Sequence, residues 1–248
     1  DAARAAGIPS VWNIRESEPW RVRLANRHIA VAGRALACFA YPESIVFVAR
    51  SSLNAWSEFV PAGRGHVVYN AAHPSTLAKS SEALDEVRRQ QGISRDEKLV
   101  VNVGTLCERK GQIDLALALN MLPPETLAGV RVAFVGGAEG NYDRKLRSVL
   151  HALTAPRCIF PGPVPEAVSW IAAADVLVNT SRSEAFPRTF IEAAAVRTPI
   201  IATGIDGAPE RLRHKHSALF YSPGSVDDLA SALTLLLTDA SEGRKLAE

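Results

Sequence analysis

Residues 99–111, LVVNVGTLCERKG, decide the fold class of this chain. The run Leu99–Val103 is rich in β-branched residues and predicts a strand. Gly104 follows it as a turn residue, and Arg109 and Lys110 place two adjacent cations in the same turn. The residues after the turn are predicted to form a helix. A strand, a turn and a helix in succession form the repeating unit of a parallel α/β sheet.

The same alternation of strands and helices continues along the rest of the chain. Strands are predicted at 99–103, 130–135, 158–160, 176–178, 199–202 and 218–221. Helices are predicted at 111–121, 141–153, 165–173, 187–196, 207–213 and 226–238. Because ligands bind beyond the carboxyl ends of the strands in such sheets, the glycine-bearing turns after the strands mark the edge that would hold a ligand.

The amino-terminal part predicts a smaller unit. Its predicted elements are strands at 11–15, 45–48 and 66–69 and a long helix at 20–40. A polar connector with a short helix occupies 71–97, which gives predicted domains of 1–72 and 73–248. Three strands are too few for a complete doubly wound domain, and the sequence begins at Asp1 without a methionine. We therefore expect a chain that is trimmed at its amino end.

The composition is that of a globular protein with a substantial core. Of the 248 residues, 47% are hydrophobic and 22% are charged, and the formal net charge is +2 with both signs interspersed. Nucleic-acid binders usually concentrate their basic residues on one face, so nucleic acid is not an expected partner. The cysteines, Cys38, Cys107 and Cys158, are far apart, which predicts neither a disulfide framework nor a zinc site and favours a reducing cytoplasm.

The sequence contains no apolar run that reaches the roughly 18 residues of a membrane span. The nearest candidate, Ile29–Tyr41, is too short and contains Arg34. Basic residues precede it at Arg21, Arg23, Arg27 and His28. We predict a core-packed helix with a solvated basic edge. A helix that contacts anionic lipid from the membrane surface stays open as the alternative.

A second stretch, SEAFPRTFIEAAA at 183–195, places two carboxylates eight positions apart. Pro187 is predicted to be the first residue of a helix, because its missing N–H is not needed there. Glu184 then lies before the helix and Glu192 within it. Free backbone N–H groups at such a helix start can bind phosphate. The alternative is ordinary helix decoration, in which Glu192 is solvated or pairs with Arg188.

The two cations of the first stretch could clamp a diphosphate. Arg109 can contact phosphate with two parallel hydrogen bonds, and Lys110 adds a second charge. The turn is no Walker A loop, because its glycine spacing differs and no Ser or Thr follows the lysine. The alternative is a pair of solvated surface cations.

Taken in order, these segments resemble the carboxy-terminal domain of family 4 glycosyltransferases, which are retaining enzymes with the GT-B fold. Four motifs of that family are matched: E-x7-E by Glu184 and Glu192, G-x-L-x-x-x-K-G by Gly104–Gly111, the run that ends in S-x-x-E by residues 173–184, and G-x-P-E by Gly207–Glu210. Tyr69 and Asn70 resemble the element at which these enzymes leave their first domain. The resemblance covers roughly residues 66–240.

The resemblance implies an α/β protein of the GT-B type, with two Rossmann-like domains and parallel sheets, the amino-terminal one incomplete in this chain. It also implies transfer of a sugar from a nucleotide-diphosphate donor, such as a UDP- or GDP-sugar, to a saccharide or lipid-linked acceptor. The anomeric configuration would be retained, and no metal or other cofactor would be needed. A cytoplasmic location is expected, with peripheral contact at the inner membrane face as an option.

The resemblance assigns roles to single residues. The expected catalytic residues are Glu184, which would bind hydroxyls of the donor sugar, and Arg109 and Lys110, which would hold the diphosphate and stabilise the charge that grows on it. Glu192 would bind the nucleotide ribose. Further donor contacts are expected from Gly104, Thr105, Ala185, Phe186, Pro187, Arg188, Gly136, Gly137, Pro161, Gly162 and Val164.

The chain also departs from the family pattern. Thr105 stands where the family often has arginine, and residues 13–18 offer no histidine to align with the one commonly found near the transferred sugar. Arg15 and Glu16 are the candidates on that side. A nucleotide-diphosphate-binding module without turnover therefore stays open as the alternative function. A nicotinamide-dependent enzyme built on Val135–Gly140 is weaker, because the G-x-G-x-x-G spacing is not met.

Overall fold

The computed structural model describes residues 2–17, 38–72 and 81–248. The predicted helix at 20–40 falls outside these ranges except for Cys38–Ala40, which form a 3₁₀ turn. The basic residues that precede Ile29, and the lipid-contact alternative that rests on them, also lie outside the described residues. Within the described ranges, no helix is long and apolar enough to cross a membrane.

The secondary structure alternates strands and helices over most of the described chain. The strands are β1 (Val11–Ile14), β2 (Ser44–Phe47), β3 (Gly65–Val67), β4 (Lys98–Val103), β5 (Val130–Val135), β6 (Cys158–Gly162), β7 (Val176–Asn179), β8 (Ile200–Thr203) and β9 (Leu219–Tyr221). The helices are α1 (Ala2–Ala5), α2 (Arg50–Trp56), α3 (Ser81–Gln90), α4 (Gln112–Met121), α5 (Pro124–Leu127), α6 (Tyr142–Ser148), α7 (Ala167–Ala173), α8 (Arg188–Ala195), α9 (Ala208–Arg211), α10 (Val226–Thr238) and α11 (Ala240–Ala247). The predicted strands are confirmed to within two residues at each end.

Two compact units make up the described chain. The first comprises residues up to Asn70 together with 183–187 and 205–211, and the second comprises 71–182, 188–204 and 212–248. Both later segments of the first unit therefore come from the region that the sequence pattern assigned to a second domain. The predicted domain limits at 1–72 and 73–248 stay a prediction.

The first unit is built on a three-stranded parallel sheet in the order β1-β2-β3. Its core consists of Phe39, Ile45, Phe47 and Trp56, all of which are buried. The rings of Phe39 and Trp56 stack with their centroids 5.3 Å apart. Burial of these large side chains stabilises the sheet and helix α2 against each other.

The second unit is built on a six-stranded parallel sheet in the order β6-β5-β4-β7-β8-β9. Apolar clusters cover both of its faces: Leu99 and Val101 of β4 pack into one, and Val100 packs into the other. Strands that are buried on both faces read as nearly continuous apolar runs, which is why they were predictable. The strand order reverses between β4 and β7, and ligands of such sheets bind beyond the carboxyl ends at that point.

Candidate functional site

The loops that follow β4 and β7 meet where the strand order reverses. The N–H of Arg182 donates to the carbonyl of Arg109 at 2.8 Å, and the Thr180 hydroxyl donates to the carbonyl of Lys110 at 2.6 Å. Gly111 has a φ of 62°, and a Cβ there would lie 2.4 Å from the Thr180 carbonyl oxygen. Glycine is therefore required at this close approach, and the two loops form one edge.

The turn after β4 is braced by Gln112, the first residue of α4. Its side chain is fully buried, donates to the carbonyl of Thr105 at 3.0 Å and accepts from the N–H of Cys107 at 3.3 Å. Gln112 contacts only the backbone of Thr105 here, and Thr105 itself is exposed. Gln112 was not among the site residues predicted from the sequence. A polar residue directly after a helix-entry glycine, at the start of a largely apolar helix, was the available signal.

Both predicted cations lie on this turn. Lys110 folds back over Gly104, since a Cβ on Gly104 would lie 3.5 Å from Lys110 Cε and 3.9 Å from its Nζ. Lys110 is half-buried and Arg109 is exposed. The Lys110 ammonium group therefore lies close to Gly104, the first residue after β4. Arg109 precedes Lys110 in the same turn.

The turns after β5 and β6 join the turn after β4. The N–H of Leu106 donates to the carbonyl of Gly137 at 2.8 Å, and the N–H of Gly136 donates to that of Gly162 at 3.0 Å. A Cβ on Gly136 would lie 2.0 Å from the carbonyl oxygen of Gly104, whereas one on Gly137 would meet nothing within 4 Å. Three neighbouring turns therefore form one hydrogen-bonded edge, and Gly137 faces open space on it.

The last residues of β6 leave the regular ladder. The pairing register between β5 and β6 shifts between Ala133 and Val135, opposite the end of β6 that contains Pro161. Proline has no N–H to donate and is tolerated at such irregular places of an edge strand. Val164, one of the predicted donor contacts, is half-buried against the apolar cluster that includes Trp170.

Glu192 lies inside helix α8 and is buried. The helix begins at Arg188, so Pro187 precedes it instead of being its first residue. The Glu192 carboxylate accepts from Arg188 Nη2 at 3.1 Å, with the Glu192 side chain 10% exposed and that of Arg188 69% exposed. This ion pair of Glu192 with Arg188 is the one that the sequence left open as an alternative to ligand binding. An ion pair with so exposed a partner contributes only about 0.3–0.5 kcal/mol, so the carboxylate can exchange it for another hydrogen-bond donor at little cost.

An ion pair that was not predicted from the sequence connects α4 to the loop after β7. Arg182 Nη2 lies 2.8 Å from Asp114 Oδ1, and the Asp114 side chain is 6% exposed. Burial raises the pKa of the Asp114 carboxyl above its ordinary value, although the Arg182 charge opposes the shift. Burial also raises the pKa of Tyr221, which the Asp114 charge reinforces. The partners are 68 residues apart, so no local spacing signals the pair.

In the first unit, Glu184 and its neighbours lie against two other segments. The N–H of Glu184 donates to Asp206 Oδ2 at 2.8 Å, and Asn70 Nδ2 donates to the carbonyl of Phe186 at 2.9 Å. The hydroxyls of Ser17 and Ser183 are hydrogen-bonded at 2.6 Å. The loop after β1 is thus brought to the segment that contains Glu184. Of the predicted donor contacts, Ala185, Phe186 and Pro187 belong to this unit and are buried.

The two acceptor-side candidates, Arg15 and Glu16, follow β1 in the same unit. Arg15 Nη2 donates to Asn70 Oδ1 at 3.4 Å, which is a long hydrogen bond. Glu184 belongs to the first unit, whereas Glu192, Arg109 and Lys110 belong to the second.

Glu210, the last residue of the G-x-P-E match, caps helix α2. Its carboxylate accepts from the N–H groups of Arg50 and Ser51, both at 2.7 Å, and from the Tyr69 hydroxyl at 2.9 Å. Burial favours a higher pKa for Glu210, but these hydrogen bonds together outweigh it and hold the pKa below its ordinary value. The hydrogen bond to Glu210 in turn raises the pKa of Tyr69.

Comparison with known proteins assigns this architecture to a family. The family model described as glycosyl transferases group 1 matches residues 84–248. The chain belongs to this family. The resemblance drawn from the sequence motifs is thereby confirmed at the level of glycosyltransferases.

Two curated relatives are similar to much of the chain. A D-inositol 3-phosphate glycosyltransferase of Corynebacterium jeikeium is 32% identical over 167 residues, which are 64% of this chain and 40% of that protein. A GDP-mannose-dependent alpha-(1-6)-phosphatidylinositol monomannoside mannosyltransferase of Mycobacterium tuberculosis is 32% identical over 192 residues, which are 73% of this chain and 47% of that protein. The chain therefore spans less than half the length of these relatives.

Solved structures share the fold. The crystal structure of HepE from Anabaena in complex with UDP and glucose superimposes with a TM-score of 0.86, at 22% identity, over 100% of this chain and 67% of that one. At this identity the likeness shows the fold alone. The predicted fold class, an α/β protein of the GT-B type, is confirmed.

Proposed function

We propose that this chain is the donor-binding part of a glycosyltransferase that moves a sugar from a nucleotide-diphosphate donor to an acceptor. The observation that carries the proposal is the cationic turn of Arg109 and Lys110. It lies at the carboxyl end of β4, where the strand order reverses, in a chain of the group 1 family.

The second unit supplies the groups that a nucleoside diphosphate needs. Arg109 and Lys110 offer two positive charges to the diphosphate, and the open space beside Gly137 offers room next to them. Gly104, Thr105, Gly136, Pro161, Gly162 and Val164 are assigned to the walls of this nucleotide pocket. Glu192 is assigned to the ribose, because a buried carboxylate with a weakly held partner can accept hydrogen bonds from a pair of hydroxyls.

Catalysis would depend on the charge that develops when the sugar leaves the diphosphate. Cations that are fixed before the reaction stabilise this charge without reorganising, and Arg109 and Lys110 would do so here without a metal ion. Glu184 is assigned to the hydroxyls of the transferred sugar, and the backbone from Ala185 to Arg188 to the phosphates. Retention of the anomeric configuration belongs to the same proposal and rests on the E-x7-E resemblance.

For the acceptor we propose a saccharide or a lipid-linked group. The names of the two curated relatives specify an inositol phosphate and a phosphatidylinositol mannoside. Arg15 and Glu16 are the acceptor-side candidates of this chain. A cytoplasmic location with peripheral contact at the inner membrane face accompanies such an acceptor and is part of the proposal.

A binding module without turnover is the second candidate. Thr105 removes a cation that the family often places at the phosphate turn, and the chain spans less than half of its curated relatives. Such a module would bind the nucleoside diphosphate through the same residues of the second unit and would leave the donor sugar intact.

Calorimetric titration with UDP and GDP, followed by a donor-hydrolysis and transfer assay with the matching nucleotide sugars, tests both candidates. We expect one of the two nucleotides to bind and its sugar conjugate to be consumed. The double variant Arg109→Ala/Lys110→Ala should lose binding, and the control Arg144→Ala, which removes an exposed cation of α6, should retain it. Binding without consumption of donor would favour the module. Failure of the parent protein to bind either nucleotide would refute the proposal.

A further inference from the structure

Asp206 occupies a backbone conformation that residues with a side chain rarely adopt. It follows β8 in an exposed loop and has a φ of 48°. A positive φ is disfavoured whenever a Cβ is present, although Asp and Asn tolerate it better than other residues. Such strain persists only where the surrounding structure imposes it, and it concentrates at functional positions.

The carboxylate of Asp206 is directed at the backbone of Glu184. Asp206 Oδ2 accepts the Glu184 N–H at 2.8 Å, across 22 residues of sequence. A hydrogen bond to an ionised carboxylate is shorter and stronger than one between neutral groups. The unusual backbone angle of Asp206 is therefore accompanied by a specific contact with the residue that the E-x7-E motif assigns to the donor sugar.

The neighbouring residues leave this contact little freedom. A Cβ on Gly207 would lie 2.0 Å from the carbonyl oxygen of Ala185 and 2.8 Å from the Cβ of Ala49. The backbone after Asp206 is thus packed directly on the backbone after Glu184, with no room for a side chain between them. This close approach fixes the distance between the two segments.

Both segments are held at a second point. Glu210 attaches the Asp206 segment to the first turn of α2 through its hydrogen bonds to Arg50 and Ser51. Asn70 Nδ2 holds the carbonyl of Phe186, two residues after Glu184. The Glu184 backbone is therefore restrained on its N–H side by Asp206 and on its carbonyl side through Phe186.

We propose that Asp206 is a positioning residue, which sets the backbone of Glu184 so that its carboxylate can meet the hydroxyls of the donor sugar. The inference rests on the proposed function, because it assigns Glu184 to the sugar. In this proposal Asp206 acts through the backbone of Glu184 and not by binding the substrate. A geometric error of about 1 Å at a reacting group costs roughly a hundredfold in rate, so even partial release of Glu184 should be measurable.

Three variants separate positioning from mere stability. Asp206→Ala removes the acceptor, Asp206→Asn keeps an oxygen that can accept the same N–H, and Asp206→Gly removes the acceptor while relieving the disfavoured φ. We expect kcat for transfer to fall about ten- to a hundredfold in the Ala and Gly variants and to stay within a few-fold of the parent in the Asn variant. The affinity for UDP or GDP, which carry no sugar, should change less than about twofold, within ordinary surface-variant effects.

The control is Asp239→Ala. Asp239 also accepts backbone N–H groups, those of Ser241 and Glu242, but at the start of α11 in the second unit. Loss of the Asp239 carboxylate in this variant should lower the melting temperature of the protein and leave kcat for transfer unchanged. The Gly variant of Asp206 should show the opposite pattern, with a melting temperature at or above that of the parent and a reduced kcat.

Hydrogen exchange of the peptide that contains Glu184 gives a readout that does not need turnover. Loss of the acceptor should speed exchange at the Glu184 amide in the Ala and Gly variants and not in the Asn variant. Unchanged exchange there would overturn the inference, as would parent-like kcat in Asp206→Ala or an equal loss of nucleotide affinity. A parent protein that binds neither UDP nor GDP would instead refute the proposed function, and the exchange result would still decide whether Asp206 holds Glu184.

Discussion

At the scale of the residue, Glu192 combines deep burial with a partner that contributes little to its stability. Replacing it with glutamine keeps the shape and removes the charge. We expect Glu192→Gln to weaken binding of UDP or GDP about tenfold, because hydrogen bonds to a charged group contribute about 1.5–3 kcal/mol. The free energy of unfolding should change by less than about 1 kcal/mol, since the lost Arg188 pair is exposed. Calorimetry and urea denaturation measure the two quantities.

The matched control for Glu192 is Glu242→Gln, which removes the ion pair of Glu242 with Lys245 in α11. It should leave nucleotide affinity unchanged, and equal affinities of Glu192→Gln and the parent would contradict the ribose assignment.

Glu184→Ala should behave differently from both of these glutamine variants. It should reduce transfer more than nucleotide binding, because UDP and GDP offer no sugar hydroxyls to Glu184.

Gly136 and Gly137 are adjacent, yet they differ in the space around them. An alanine at 136 would place its Cβ 2.0 Å from the carbonyl oxygen of Gly104, at a φ of 149°, whereas an alanine at 137 would meet nothing within 4 Å. We expect Gly136→Ala to lower the free energy of unfolding by about 1–3 kcal/mol, as overpacking does. Gly137→Ala should stay within about 0.5 kcal/mol of the parent.

Denaturation curves of the two glycine variants test this contrast directly. If Gly137 borders the nucleotide, its alanine variant should weaken UDP or GDP binding while the fold stays intact. Equal stability of Gly136→Ala and the parent would show that the turns after β4 and β5 can separate without cost.

At the scale of the element, the ion pair of Arg182 with Asp114 anchors the loop after β7 to helix α4. Replacing Arg182 with methionine keeps much of its bulk and leaves a buried carboxylate without its cation. We expect a loss of about 1–3 kcal/mol at neutral pH, below the 3–5 kcal/mol of a fully buried pair because Arg182 is half-exposed. Adding Asp114→Asn should restore part of the loss, which a double-mutant cycle would measure.

The pH dependence of Arg182→Met has a defined sign. Burial raises the folded-state pKa of Asp114 above its unfolded value, and removing the opposing charge of Arg182 raises it further. The folded state then favours the protonated carboxyl, so the variant should be least affected below the unfolded pKa and should lose stability as pH rises from there through the raised folded-state pKa. A loss of stability that is constant with pH would show that Arg182 acts by packing alone.

The elements themselves were largely predictable from the sequence, for a physical reason. Central parallel strands such as β4 and β5 are buried on both faces, so their apolar runs identify them without knowledge of their partners. The predicted helix at 141–153 was too long, because α6 ends at Ser148. Asn120 Nδ2, on α4, donates to the Val149 carbonyl at 2.6 Å, and Asn120 Oδ1 accepts the His151 N–H at 3.1 Å. These side-chain hydrogen bonds replace the helical ones after Ser148.

The candidate site was predictable only where its residues are close in sequence. The spacing within Gly104–Gly111 identified the cationic turn, and the α8 stretch identified Glu192. The contacts of Gln112, Arg182 and Asp206 were not predicted. Asp206 and Arg182 have partners 22 and 68 residues away, so only the folded chain brings them together. Gln112 acts within the turn, but its role depends on complete burial that the local sequence does not specify.

At the scale of the whole molecule, Glu210 holds together three parts of the first unit that are far apart in sequence. The start of α2, the Tyr69 region and the 205–211 segment all meet at its carboxylate. Its contacts cap a helix whose own N-cap, Ala49, makes no side-chain hydrogen bond. An unpaired helix start is costly when it is not solvated, so the charge of Glu210 stabilises both the helix and the attachment of the later segment.

This arrangement predicts how the protein responds to acid. The hydrogen bonds of Glu210 hold its pKa below the ordinary value of about 4.3 in spite of burial, so its stabilising contribution is complete above that pH and is lost as pH falls through the lowered folded-state pKa. We expect Glu210→Gln to be less stable than the parent at pH 7 and to lose less stability on acidification below about pH 4.3. Urea denaturation at a series of pH values measures this. The control is Glu125→Gln, at an exposed position of helix α5, which should follow the parent. Parallel acid profiles for Glu210→Gln and the parent would show that the carboxylate charge does not hold the three segments together.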